Sequence, residues 1–213
     1  GADIGAYIKY STHKNEVVQV KVGLSFVSMD NARMNLDQEN PGWDFESVRA
    51  EAKEIWRNLL NSVEVEGGTQ RERVMFYSSL YRACLWPVLR SDVDGSFMGL
   101  DEKVDKADFD YYTRPSFWDT FRNKLPLLTI IEPEIKLDII RSCIDMGKKS
   151  GWMPGFFHGD HATSMIVGSY IRGLDDFDVQ EAYRLMKKNA TQSGRVRGDI
   201  SHYIEHGYVP TPR

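Results

Sequence analysis

Cysteine is nearly absent: Cys84 and Cys143 are the two among 213 residues, and both sit in apolar helical patterns. The expectation is a pair of buried free thiols rather than a disulfide framework, and they identify no redox compartment. No stretch of eighteen consecutive apolar residues occurs, which excludes a membrane-spanning helix. The opening residues Gly1-Ala2-Asp3-Ile4 carry no basic region ahead of an apolar core, so no signal peptide is expected. Basic residues never cluster five together, and a formal net charge of −4 gives no electrostatic pull toward nucleic acid. G-x-G-x-x-G after a strand, the P-loop, G-x-S-x-G and C-x-x-C are all missing, which removes the common nucleotide, serine-nucleophile and dithiol chemistries.

What remains is the composition of a folded globular chain, 41% hydrophobic, 12% aromatic and 27% charged. The first 28 residues read as strands. Residues 6–10 and 17–22 carry β-branched and aromatic residues, partly in alternation, and 24–28 extend the pattern. His13-Lys14-Asn15-Glu16 suits a hairpin turn between them. Two or three strands alone do not make a stable sheet, so these need partners. From Asp30 onward the chain reads as helices. Asp30 and Asp44 suit N-caps, and Phe45, Val48, Ala52, Ile55, Trp56 and Leu59 recur at helical spacing. Thr69-Gln70-Arg71-Glu72 matches a capping box, and Pro87 should end or kink the helix it opens. Asp94-Gly95 is a hairpin signal between short β-prone pieces. Helices are then expected over 115–128, 133–149, 160–173 and 178–190. The fold class is therefore mainly α, six or seven helices in antiparallel hairpins, with a few N-terminal β-strands and no repeat of fixed period.

Three segments hold candidate chemistry. Asp92-Val93-Asp94-Gly95 invites a calcium reading, but the glycine falls out of EF-hand register and a hairpin turn is favoured. Tyr111-Tyr112-Thr113-Arg114-Pro115-Ser116-Phe117-Trp118-Asp119-Thr120-Phe121-Arg122 combines aromatic faces, which stack on sugar rings, with charged groups that bond hydroxyls. Set against that, Asp119 and Arg122 lie three apart and could simply pair on a helix surface. Trp152-Met153-Pro154-Gly155-Phe156-Phe157-His158-Gly159-Asp160-His161-Ala162-Thr163 places two histidines and an aspartate in a Gly/Pro-bearing loop that opens a helix. The spacing His158-x-Asp160-His161 matches no strong zinc motif. Asp160 is either the N-cap of that helix or a functional carboxylate, and the residues leave both open.

Taken in order along the chain, these segments resemble glycoside hydrolase family 92, the calcium-dependent α-mannosidases. The resemblance runs through 17–28, Pro41-Gly42-Trp43-Asp44-Phe45 and Ser91-Asp92-Val93-Asp94-Gly95 to Tyr111-Tyr112-Thr113. It continues in Ser116-Phe117-Trp118-Asp119-Thr120-Phe121-Arg122, Pro126-Leu127-Leu128-Thr129, Gly151-Trp152-Met153-Pro154 and Phe177-Asp178-Val179-Gln180-Glu181-Ala182-Tyr183. It implies that residues 1–29 are the last strands of an N-terminal β-sandwich and that 30–213 are part of a catalytic (α/α)6 toroid. It further implies inverting exo-cleavage of α-mannosidic bonds in glycans, calcium as the cofactor, and an extracytoplasmic place in a bacterium. Inversion needs an acid and a base whose carboxyls stand about 6.5–9.5 Å apart; the resemblance puts the base and much of the calcium site outside this segment.

One departure matters. Where the family is expected to read Gly-Asn-Glu-Thr, with the glutamic acid protonating the leaving group, this chain reads Gly159-Asp160-His161-Ala162. Asp160 and His161 are therefore the candidate catalytic residues, and Trp118, Asp119, Arg122 and His158 the candidate sugar-binding ones. The alternative is a non-catalytic carbohydrate-binding or regulatory module on the same fold, its acid lost.

Overall fold

The computed structural model describes residues 5–155, 159–194 and 197–210. Helices dominate: α1 (Met29–Glu39), α2 (Phe45–Leu60) and α3 (Gln70–Cys84), then a short hairpin of β1 (Ser96–Met98) and β2 (Val104–Lys106), then α4 (Lys124–Ile131), α5 (Pro133–Ser150), α6 (His161–Tyr170), α7 (Val179–Thr191) and α8 (Ile200–His206). The mainly α expectation holds, and the succession of packed helices is consistent with part of a toroid.

Local signals set most of the helix starts. Asp44 accepts from the amides of Glu46 and Ser47, and Thr69 and Glu72 form the reciprocal capping box read from the sequence. Asp178 caps α7 through the Glu181 amide. At the other end, Gly151 takes φ 78° and its amide bonds the Gly147 carbonyl at 2.8 Å, which closes α5 in the left-handed cap that glycine adopts without steric cost. Helix α1 starts at Met29, with Ser28 rather than Asp30 as its N-cap.

The core is built around α5. Ile139, Ile140, Cys143 and Ile144 meet Phe117, Leu125 and Leu128 on one side, and Met165, Ile166, Ala182 and Leu185 of α6 and α7 on the others. A Cβ at Gly147 would stand 2.5 Å from Leu185 Cδ1, so the close approach of α5 and α7 depends on a glycine there. A second cluster stacks Phe97 on Tyr111 with centroids 3.7 Å apart, and the Tyr111 hydroxyl donates to Asp145 at 2.9 Å. Both cysteines are free, Cys143 buried and Cys84 half-buried. Among the described residues no helix is long and apolar enough to cross a membrane.

Three expectations need correction. Residues 5–28 form no strand: the turn at 13–16 is present, with the Glu16 amide bonding the His13 carbonyl at 3.1 Å, but no ladder follows on either side. The two-stranded β1–β2 sheet takes up none of these β-prone segments, and Val17 and Leu24 stand 81% and 78% exposed. The expected helix over 115–128 begins only at Lys124, because Asp119 takes φ 60° and the segment before α4 runs as turns. The Asp94-Gly95 turn forms, Gly95 at φ 83° and its amide on the Asp92 carbonyl, yet the β1–β2 pair is joined one turn later at Gly99–Lys103. Asp92 accepts from the distant Ser25 and Asn35, and Asp94 accepts from nearby Ser96; both carboxylates are engaged in structural bonds, in keeping with the turn reading.

Helix α2 buries no residue, and its apolar side chains Phe45 and Ile55 stand exposed, as do Val20 and Phe26 nearer the N-terminus. Apolar surface on that scale drives association. The isolated chain should self-associate in light scattering, and a monodisperse monomer would contradict that expectation.

Candidate functional site

The two segments singled out for their residue types come together at the start of α6. His161, its first residue, lays its imidazole against Phe121 with centroids 4.6 Å apart and planes at 13°. The Arg122 guanidinium stands 5.2 Å from the same Phe121 ring. Phe117, four residues earlier, is fully buried in the core and anchors this turn. Arg114 donates to the Gly155 carbonyl at 3.2 Å, a second tie between the aromatic segment and the loop that leads to α6.

Asp160 is held by α7 as well as by its own helix. It precedes α6, but its side chain makes no capping bond. The carboxylate instead accepts from Asn189 Nδ2 at 3.2 Å on Oδ1 and from Thr163 Oγ1 at 3.3 Å on Oδ2. Burial pushes this carboxyl above the ordinary aspartate range, while the Asn189 and Thr163 bonds and the charges of Arg197 and His161 pull it partly back. A carboxyl turned away from the helix amides and held half-buried can carry a proton that an ordinary surface aspartate would lose.

Asn189 is fully buried on α7 and makes a second bond, donating to the Met153 carbonyl at 2.9 Å. It thus ties both Met153 and Asp160 to α7. His161 Nδ1 is buried with no hydrogen-bond partner among the described residues. Asp119 and Arg122 approach only to 4.0 Å and both are well exposed, a separation at which an ion pair contributes little. Trp118 is exposed on the same turn. His158 lies outside the described residues. The structure therefore brings His161 and Arg122 to Phe121, with Trp118 and Asp119 on the adjoining turn, while Asp160, the residue before His161, bonds Asn189 and Thr163. Sequence reasoning passed over Asn189, although a polar residue in register with buried Ala182 and Leu185 on α7 was a readable signal.

Among the described residues no three histidine, cysteine, aspartate or glutamate side chains converge as a metal site would require. The described residues do not by themselves form such a carboxylate cluster for calcium.

The sequence profile of the glycosyl hydrolase family 92 catalytic domain matches residues 31–213. The chain belongs to glycosyl hydrolase family 92. An inverting family 92 mannosidase of Bacteroides thetaiotaomicron superposes with a TM-score of 0.81 at 30% identity, covering 88% of this chain and 28% of that one. A second family 92 α-mannosidase of the same organism, also solved in complex with mannoimidazole, gives 0.80 at 33% identity over 87% of this chain and 26% of its own. An uncharacterized secreted glycosidase of Arthroderma benhamiae is 26% identical over 227 residues, which is 97% of this chain and 25% of that protein. The chain thus spans about a quarter of the length of the relatives it matches.

Proposed function

We propose that this family 92 chain is part of the catalytic domain of a calcium-dependent, inverting exo-α-mannosidase that acts on mannose-bearing glycans outside the cytoplasm. The observation that carries the reading is the Phe121–His161 stack, which sets an aromatic and charged turn against the start of α6, one residue past the half-buried Asp160 carboxyl. In this reading Asp160 protonates the leaving oxygen as the glycosidic bond breaks, because burial keeps its proton available. Trp118, Asp119 and Arg122 form a wall for the sugar, Trp118 through its apolar face and the charged pair through hydroxyls. His161, fixed by Phe121, either orients Asp160 or shares its proton. The base that activates water and the calcium ligands come from the rest of a longer chain, and no step here runs through the ion. The mannosidase identity of the solved relatives and the secreted nature of the Arthroderma benhamiae glycosidase support the substrate and the compartment.

A second reading rests on one observation, the histidine at position 161 where the family resemblance expects a glutamic acid: a carbohydrate-binding module that kept the fold and lost turnover. Mannose release from simple α-mannosides by the intact protein, with calcium and with a chelator, separates the two. Calcium-dependent turnover that falls in His161→Ala is the expected result. No turnover under any condition would overturn the mannosidase reading in favour of binding.

A further inference from the structure

Asn189 has no place in the resemblance, yet it is wholly buried and spends its amide hydrogens on Met153 and Asp160. One goes to the Met153 carbonyl at 2.9 Å, where the chain enters the loop, and the other to Asp160 Oδ1 at 3.2 Å, where it leaves. Asn189 Oδ1 is buried without a partner among the described residues. A buried amide with an unsatisfied oxygen is costly, and an apolar side chain at this position of α7 would pack beside Ala182 and Leu185 without that cost. The residue is better explained by what its nitrogen holds than by core packing.

We propose that Asn189 is a positioning residue, holding the Asp160 carboxyl in place at the start of α6 and tuning how readily it gives up its proton. The proposal rests on Asp160 being the acid of the mannosidase reading. Two neutral donors, Asn189 and Thr163, fix the two oxygens, one from α7 and one from the first turn of α6. The titratable and charged groups that face the carboxyl are His161 on its own helix and Arg197 ahead of α8. An amide N–H directed at a carboxyl oxygen favours the ionised form. Without it the group holds its proton to higher pH, and its orientation loosens. A general acid is active while protonated, so the alkaline limb of the rate profile is the one that reports it.

The experiment is the pH profile of kcat/KM for an unactivated α-mannoside with the intact protein and its Asn189→Ala and Thr163→Val variants, beside Asp160→Asn. Both variants should move the alkaline limb to higher pH, Asn189→Ala further, with kcat lowered and KM little changed. Thr163 is half-buried at a helix surface, so Thr163→Val tests the same prediction should the α7 core not tolerate alanine. A lower rate with the limb unmoved in both variants would reduce Asn189 to a structural residue and overturn the proposal. If Asp160→Asn keeps full activity and its alkaline limb, it is the acid assignment that has failed, and the positioning role falls with it.

Discussion

Asp160→Asn in the intact protein should lower hydrolysis of an unactivated α-mannoside by about 10²- to 10⁴-fold, the usual contribution of a general acid. The loss should shrink sharply on a dinitrophenyl mannoside, whose leaving group departs without protonation. The reasoning starts from geometry. Asp160 stands at a helix start, where an aspartate would ordinarily bond the first free amides and be held ionised by them. Its side chain does not do so. It turns instead toward Asn189 and Thr163, into a half-buried position where desolvation outweighs the bonds and charges that favour the ionised form. Asparagine keeps the size and can still accept from Asn189, so the fold should survive while the transferable proton is lost. His161 is the competing candidate. Its ring is committed to Phe121 and its Nδ1 is buried without a partner among the described residues, so proton transfer through it is left to Nε2. If His161→Ala shows the leaving-group-dependent loss and Asp160→Asn does not, the roles are exchanged. Equal loss on both substrates in Asp160→Asn would mean that the residue supports the site without donating a proton.

How far the molecule was readable from its residues depends on how local each feature is. The capping box at Thr69 and Glu72 and the Asp44 cap are contacts over three residues, and both formed as read. The 92–95 turn is equally local and equally legible. Spacing misled over 115–123, where alternating aromatics and charges fit a helix but Asp119 adopts φ 60° and the chain turns. Whether Asp119 sits there because the turn demands it or because the site does is a tertiary matter that an i,i+3 pattern cannot express. The N-terminal segment forms no strand in the described chain for a related reason: β-propensity describes a fit to a neighbouring sheet, and the β1–β2 pair takes no third strand. Within the site, the residue types in 111–122 and 152–163 were visible, whereas their union through Phe121 and His161 and the Asn189 clip are long-range contacts. The family resemblance, carried by ordered motifs rather than by any one pairing, reached the right family across that gap.

Lys136→Met should stabilise the chain at pH 7 by about 1–4 kcal/mol, the range seen when buried charges give way to apolar side chains of similar volume. Lys136 is 1% exposed on α5, the helix at the centre of the core, and its Nζ has no hydrogen-bond partner among the described residues. Burial drives the ammonium down from its ordinary 10.5 to about 7, against a small opposing effect of Cys143. Between those two values the unfolded chain binds more protons at this site than the folded one, so stability rises with pH across the window from 7 to 10.5 and the penalty is largest below it. The rise should be visible in wild type and absent in Lys136→Met. It is best followed as the difference between the two proteins, since buried Cys143, pushed up to about 12, contributes the opposite slope above its ordinary 9.0 in both. Thermal denaturation at pH 6, 7.5 and 9 is the measurement, and the gap between the variants should narrow as pH increases. For a chain of this size each kcal/mol moves Tm by about 2–4 °C, which places the effect well within reach. A variant less stable than wild type at every pH would show instead that the Lys136 ammonium has a partner and serves the core as a charge.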